Sequence, residues 1–356
     1  MCRAFPLVFA ALAAFAAPLV SVSLDATQSR SKTISPAQGE RHLRNIRQLT
    51  FGGQNAEAYF SFDGTKIIFQ STPDGAQCDQ QYTMNVDGSN RRRFSNGEGR
   101  TTCGYFTPDG REIVYASTHA ASRACPPRPD MSRGYVWPVY AGYDIYRANA
   151  DGSNLRNITS SPGYDAEPTL GPDGRIVFTS VRDGDIEIYS MNLDGSDVRR
   201  LTNRVGPDGG PFFNKDGSKI VFRGRTLAAG AELDRYKLLL KDGLWQPTSL
   251  EIFVMNRDGS GLTQVTHAGA ASFAPFFHPD GTRIIFSSNI TSQQGRGEFD
   301  LYLINADGTG LERVTYAVEF DGFPMWNPDG TKLVFASNRN GTRQGDTNIF
   351  IADWID

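Results

Sequence analysis

The stretch FHPDGTRIIFSS, Phe277 to Ser288, decides the fold, because close copies of it occur five more times. They are FSFDGTKIIFQS from Phe60, FTPDGREIVYAS from Phe106, LGPDGRIVFTS from Leu170, FNKDGSKIVFRG from Phe213 and WNPDGTKLVFAS from Trp326. Each begins on an aromatic or leucine strand end, turns on Asp-Gly, and continues as an alternating apolar run that stops at a small residue. Gly supplies the positive φ of a tight hairpin turn, and Asp hydrogen-bonds its own backbone two residues on. Six copies predict six hairpins.

A second unit follows each of the first five: QYTMNVDGSNRRRFS from Gln81, DIYRANADGSNLRNIT from Asp144, EIYSMNLDGSDVRRLT from Glu187, EIFVMNRDGSGLTQVT from Glu251 and DLYLINADGTGLERVT from Asp300. Two hairpins per unit give four antiparallel strands, A to D. The first-hairpin aspartates Asp63, Asp109, Asp173, Asp216, Asp280 and Asp329 recur every 43 to 64 residues, the period of β-propeller blades. The sixth unit stops after NIFIADWID, Asn348 to Asp356, one strand short. NIRQLT, Asn45 to Thr50, matches the missing strand D endings. The expectation is therefore an all-β, six-bladed propeller over residues 45–356, its ring closed by the N-terminal strand, which leaves no sheet edge open.

Residues 1–23, with one early Arg3, an apolar run from Phe5 to Val20 and small residues after it, read as a secretory signal peptide. Residues 24–44 are polar and Ser-rich and are expected to be a flexible lead-in. A secreted or periplasmic location follows, with no transmembrane span once the signal is cleaved. The formal charge of −3, with 21% charged residues, gives no basis for nucleic-acid binding, which needs clustered Lys and Arg. Beyond the signal stand Cys78, Cys103 and Cys125, an odd number that predicts one disulfide and one free thiol. The pairings Cys103–Cys125 and Cys78–Cys103 are favoured, and the spacing does not choose between them.

Topology puts the short A–B and C–D turns on one face of the disc, and the B–C loops and D–A crossovers on the other. Long B–C insertions in blade 2 (118–143) and blade 4 (225–250) and all three cysteines share this second face, where variable loops make it the expected binding face. The blade 4 insertion carries a helical stripe of Leu233, Tyr236 and Leu240 that Gly243 stops. In blade 2, Arg128, Arg133, Tyr135, Trp137 and Tyr140 have the composition of a protein-binding hot spot or a sugar-stacking platform.

Eight residues before each first-hairpin aspartate stand Asn55, Thr101, Asp165, Asp208, Ser272 and Asp321, all polar, on the innermost strand. They are expected to ring the mouth of the axial channel, where the three carboxylates offer oxygen ligands for Ca²⁺ or meet a cation. Three residues further on, Ala58, Gly104, Pro168, Pro211, Pro275 and Pro324 are small or Pro, as crowding near an axis requires. No His/Cys spacing of a zinc site and no nucleophile elbow occurs. His119 and His267 lie on the loop face, where a general base beside Asp165 or Asp208 is the one catalytic arrangement the sequence offers.

Units such as PDGTKLVFAS and NADGSNLRNIT resemble the WD40-like Pro-Asp repeats of the TolB-like propeller family, over Asn45 to Asp356. The resemblance implies six blades closed by the N-terminal strand, and a periplasmic protein that binds a peptidoglycan-associated lipoprotein and other envelope proteins within a Tol-Pal system. TolB itself carries an α/β domain before its propeller, whereas about two dozen residues separate the signal from the first strand here. The readings in view are a non-catalytic, monomeric module binding an envelope protein or peptide; a binder of carbohydrate or cell-wall polymer; and a hydrolase or lyase with its site at the channel mouth.

Overall fold

In the computed structural model, which describes residues 31–292, 298–318 and 320–356, the Asp-Gly turns of the repeated hairpins close in the same way. The aspartate carboxylate accepts the backbone N–H two residues on, as Asp63 does from Thr65, Asp280 from Thr282 and Asp329 from Thr331. Glycine is required at the second hairpins for a further reason. Gly195 has φ +85°, and a Cβ there would lie 2.3 Å from the carbonyl of Ile158 on the preceding blade, so only Gly lets neighbouring blades approach this closely.

The hairpins assemble as six antiparallel sheets. Blade 3 shows the plan: strand A is Asp165–Leu170, B Ile176–Ser180, C Glu187–Met191 and D Arg199–Arg200, hydrogen-bonded in that order. The other innermost strands are Gln54–Phe60, Thr101–Phe106, Asp208–Phe213, Ser272–Phe277 and Asp321–Trp326. Each touches its neighbours, and the last touches the first, so the sheets form a closed ring. Between blades pack fully buried aromatic and branched side chains, among them Phe69, Phe178, Phe222, Phe286 and Phe335, one from strand B of each of five blades. Burial of such rings is the main stabilising term of the fold.

Ring closure is as expected from the sequence. Leu43–Gln48 pairs antiparallel with Asn348–Trp354 and serves as strand D of blade 6. Its continuation repeats a bond found in the other blades. The N–H of Ile188 donates to the Thr202 hydroxyl at 2.9 Å, that of Ile252 to Thr266 at 2.8 Å, and that of Ile349 to Thr50 at 2.8 Å.

The flexible lead-in expected at 24–44 needs correction over its described part. Lys32–Ile34 adds a fifth strand outside Leu43–Gln48. Glu40 is buried and pairs with Arg339 at 2.9 Å. A carboxylate so placed must be matched by a cation, so this segment is bound to the disc. The signal peptide and residues 24–30 lie outside the described residues. Among the described residues no helix is long and apolar enough to cross a membrane.

The two insertions also meet. The expected helix is α1, Ala231–Lys241, followed by Gly243 at φ +69°. Trp137–Pro138 of blade 2 pairs with Leu244–Trp245 of blade 4 in a two-stranded ribbon. Val139, Tyr236, Trp245 and Ile186 of blade 3 form a small core beneath it, so the joined insertions sit against blade 3, whose own B–C loop is short.

Candidate functional site at the axial cavity

Strand A does not alternate regularly. In all six blades its pairing with strand B shifts register at one point: between Ala56 and Tyr59, Thr102 and Tyr105, Ala166 and Thr169, Gly209 and Phe212, Phe273 and Phe276, and Gly322 and Met325. Each shift is a β-bulge. Its first residue takes positive φ: Glu57 51°, Cys103 50°, Glu167 56°, Gly210 59°, Ala274 49° and Phe323 54°. The second is the small-or-Pro position, and Pro, which has no N–H, suits a position that leaves the ladder.

The six bulge residues surround an axial cavity of about 350 Å³ on the loop-bearing face, all six on its wall. Trp137, Pro138 and Tyr140 of the blade 2 insertion complete that wall, together with Tyr143 and Tyr164. Deeper in, Tyr59, Tyr105, Phe212 and Phe276 pack at centroid distances of 5.2 to 6.2 Å, edge to face except for the tilted Tyr59–Tyr105 pair. This plug separates the cavity from a smaller one of about 230 Å³ under the hairpin turns.

The cavity is two-sided. On blades 1 to 3 the bulges present Glu57, Cys103 and Glu167; on blades 4 to 6 they present Gly210, Ala274 and Phe323, with Phe273 beside them. Arg223 reaches in from blade 4 and meets Glu167 at 2.6 Å, its guanidinium near the rings of Trp137 (5.6 Å) and Trp245 (5.9 Å). Burial works to raise the Glu167 carboxyl. Arg223, the Thr179 hydroxyl and the Gly210 amide outweigh it and hold that carboxyl below its ordinary range. Asp79 lies 3.7 Å from Arg100 and accepts from the Thr72 hydroxyl.

Glu57 has no such partner among the described residues. The Thr102 hydroxyl is 3.5 Å from its carboxylate but donates at 2.9 Å to Gln70 instead. Burial pushes the Glu57 carboxyl up to about 7; a hydrogen bond from the Cys103 thiol opposes it, the Glu167 and Asp79 charges add to it, and the Arg223 charge pulls weakly the other way. Cys103 itself is a buried free thiol. Burial, then the Glu57 and Glu167 charges, push it well up, so it stays protonated and unreactive.

The ring expected at the channel mouth is not there. Asn55, Thr101, Asp165, Asp208, Ser272 and Asp321 are all sealed from solvent. Asp165 receives both oxygens' bonds from Arg182 at 3.0 Å, Asp208 is held by Arg204 at 2.9 Å, and Asp321 by Arg339 at 2.8 Å. Asn55 bonds the carbonyls of Gly52 and Thr347, Thr101 that of Asp79, and Ser272 the Ser288 hydroxyl. These residues tie the crossovers to strand B. Each carboxylate is neutralised by its own arginine, so they do not converge as a calcium ligand set, and among the described residues no cluster of three His, Cys, Asp or Glu side chains does so.

The histidines do not serve these aspartates. His119 bonds the Ser117 hydroxyl and packs at a tilt on Tyr146, and His267 bonds Gln264. The disulfide is Cys78–Cys125, not either favoured pairing, because both used Cys103, which the bulge turns to the axis. The bond still fastens the blade 2 insertion to blade 1. Of the insertion residues, Trp137 and Tyr140 reach the cavity, Arg133 pairs with Asp242 at 2.6 Å, Arg128 is exposed, and Tyr135 stands 62% exposed. Glu57, Glu167 and Arg223 were missed by the sequence reading. The available signal was the proline at the fifth position before the turn aspartate, which marks a bulge and so singles out the residue before it.

The TolB beta propeller domain family matches residues 127–229. A stretch of 42 residues is 60% identical to the Tol-Pal system protein TolB of Bordetella pertussis; it makes up 11% of this chain and only 10% of that relative. Among solved structures, a putative TolB from Agrobacterium tumefaciens superposes with a TM-score of 0.56 at 19% identity, over 85% of this chain and 91% of that one. An oligogalacturonate lyase in complex with manganese superposes with 0.54 at 14% identity, over 92% and 96%. At these identities the structural likeness is one of fold.

Proposed function

We propose that this six-bladed propeller, similar over residues 127–229 to the TolB beta propeller domain family, is a secreted or periplasmic module of the cell envelope that binds a protein or peptide on its loop-bearing face without catalysing a reaction. Translocation of the Tol-Pal type is the most concrete form of this role. The observation that carries the reading is the axial cavity: it is closed below by the aromatic plug, walled by the blade 2 insertion, and of a size to receive a side chain or chain end of a partner. A blind recess on a rigid disc, walled by an anchored loop insertion, suits capture of a protruding segment rather than threading of a polymer.

Chemistry of the wall supports binding over turnover. Cys103 is kept as a thiol, and Glu167 is tied by three hydrogen-bond donors. Stacking on a sugar ring would need a free aromatic face. Trp137 is instead met edge-on by Trp245 and Phe273 and donates its indole N–H to Tyr135. An acidic polysaccharide would face the unpaired Glu57.

The test is capture of envelope components by the immobilised mature protein, with Tyr135→Glu as the variant because that ring is exposed and its loss spares the core. We expect a defined protein partner, displaced by excess soluble propeller and retained at least tenfold less by Tyr135→Glu. Retention of protein-free glycan strands with no protein partner would contradict the reading.

A further inference from the structure

The cavity wall carries three carboxylates, Glu57, Asp79 and Glu167, and two guanidinium groups, Arg100 and Arg223. Each arginine is committed: Arg223 to Glu167 at 2.6 Å, Arg100 to Asp79 at 3.7 Å. Among the described residues one negative charge is left over, on Glu57. A buried carboxylate without a cation is costly, and this one is not sealed in the core but stands on the wall of a recess. Around it on the wall stand aromatic side chains: Tyr59 on its own strand, Tyr143 and Tyr164 on the blade 2 and 3 side, and Phe323 on the adjoining blade 6. A carboxylate facing several π-systems is the recognition chemistry of an organic cation, because ring faces attract positive charge and strip its water at little cost.

The bulge fixes where this side chain stands. Five of the six bulge positions carry a non-glycine residue at φ near +50°, a conformation sparsely adopted by L-residues, and it turns residue 57 onto the cavity wall.

We propose that the axial cavity is a receptor for one aliphatic cation, an alkylammonium or guanidinium group, with Glu57 as its counter-ion and the aromatic wall as its cage. The group is supplied by a lysine or arginine side chain of a bound partner, or by a free amine of the same chemistry. The first source rests on the binding reading above; the chemistry of the cavity does not.

The experiment is calorimetric titration of the mature protein at pH 8 with the tripeptide acetyl-Ala-Lys-Ala-amide, with its norleucine counterpart, and with cadaverine. The lysine tripeptide should bind at least tenfold more tightly than the norleucine one, and Glu57→Gln should abolish that difference while melting at a temperature no lower than the parent. The lysine tripeptide outbinding cadaverine supports a partner's side chain; cadaverine binding as well or better supports a free amine. Equal binding of the lysine and norleucine probes, no saturable binding of any probe, or a lysine preference that survives Glu57→Gln overturns the proposal. If the cation probes bind through Glu57 but no envelope protein is captured, the cation site stands and the protein-binding reading falls. If a protein is captured equally by the parent and Glu57→Gln, the protein-binding reading stands and a partner's side chain as the source of the cation falls.

Discussion

Two rings of residues on the same six innermost strands, two positions apart in sequence, have opposite fates. Asn55, Thr101, Asp165, Asp208, Ser272 and Asp321 are polar in every blade, and every one is buried with a hydrogen-bond partner. Glu57, Cys103, Glu167, Gly210, Ala274 and Phe323 share no chemical type, yet they are the ring that meets the cavity. Uniform polarity marks a job that every blade must do, which is to anchor a crossover. Variety marks a surface where the blades are free to differ, and there the protein keeps a charge it has not neutralised.

The largest effect should come from breaking the first ring. Arg339 joins Asp321 to Glu40, linking blade 6 to the N-terminal segment. Arg339→Ala leaves two buried carboxylates without a cation, and the expected loss is about 3–5 kcal/mol in denaturant unfolding. Next is the crosslink that fixes the blade 2 insertion: Cys78→Ser with Cys125→Ser should cost about 2–4 kcal/mol by the loop-closure argument, read as a lowered melting temperature.

The second ring should respond in the opposite direction. The folded Glu57 carboxyl lies at about 7, above its ordinary 4.5, so the folded state holds the proton more tightly than the unfolded chain. Its contribution favours folding below about pH 4.5 and is lost as pH rises through 7. Glu57→Gln should accordingly stabilise the protein at pH 8, on the order of 1–3 kcal/mol, and the gain should vanish by pH 4 in paired thermal melts. The smallest effect belongs to a neutral member of the first ring. Ser272→Ala removes one buried hydroxyl pair, and about 1 kcal/mol should be lost at any pH.

The sequence shows the disc well and its centre poorly, for definite reasons. Asp-Gly turns are local, so each hairpin is written within a dozen residues, and the match of Asn45–Thr50 to the other strand D endings reveals closure because Thr50 makes the same hydroxyl bond as Thr202 and Thr266. The bulge escapes because alternation is the assumption used to assign faces, and one extra residue reverses it for everything upstream. Lys32–Ile34 is too short to show a period, and the burial of Glu40 depends on Arg339 at the far end of the chain. Cysteine spacing could not reveal that Cys103 is turned to the axis, and so the pairing of Cys78 with Cys125 became visible only in three dimensions.

Among the described residues, Glu57 stands at the propeller axis without a cation partner. Selective ¹³C labelling of glutamate, with the Glu57 side-chain carboxyl resonance assigned by Glu57→Gln and followed from pH 3 to 9, tests it most directly. A midpoint near 7 that falls when the lysine tripeptide is added is the predicted result. A midpoint near 4.5, unmoved by the peptide, would mean that the carboxylate is already solvated or paired and that the axis holds no such site.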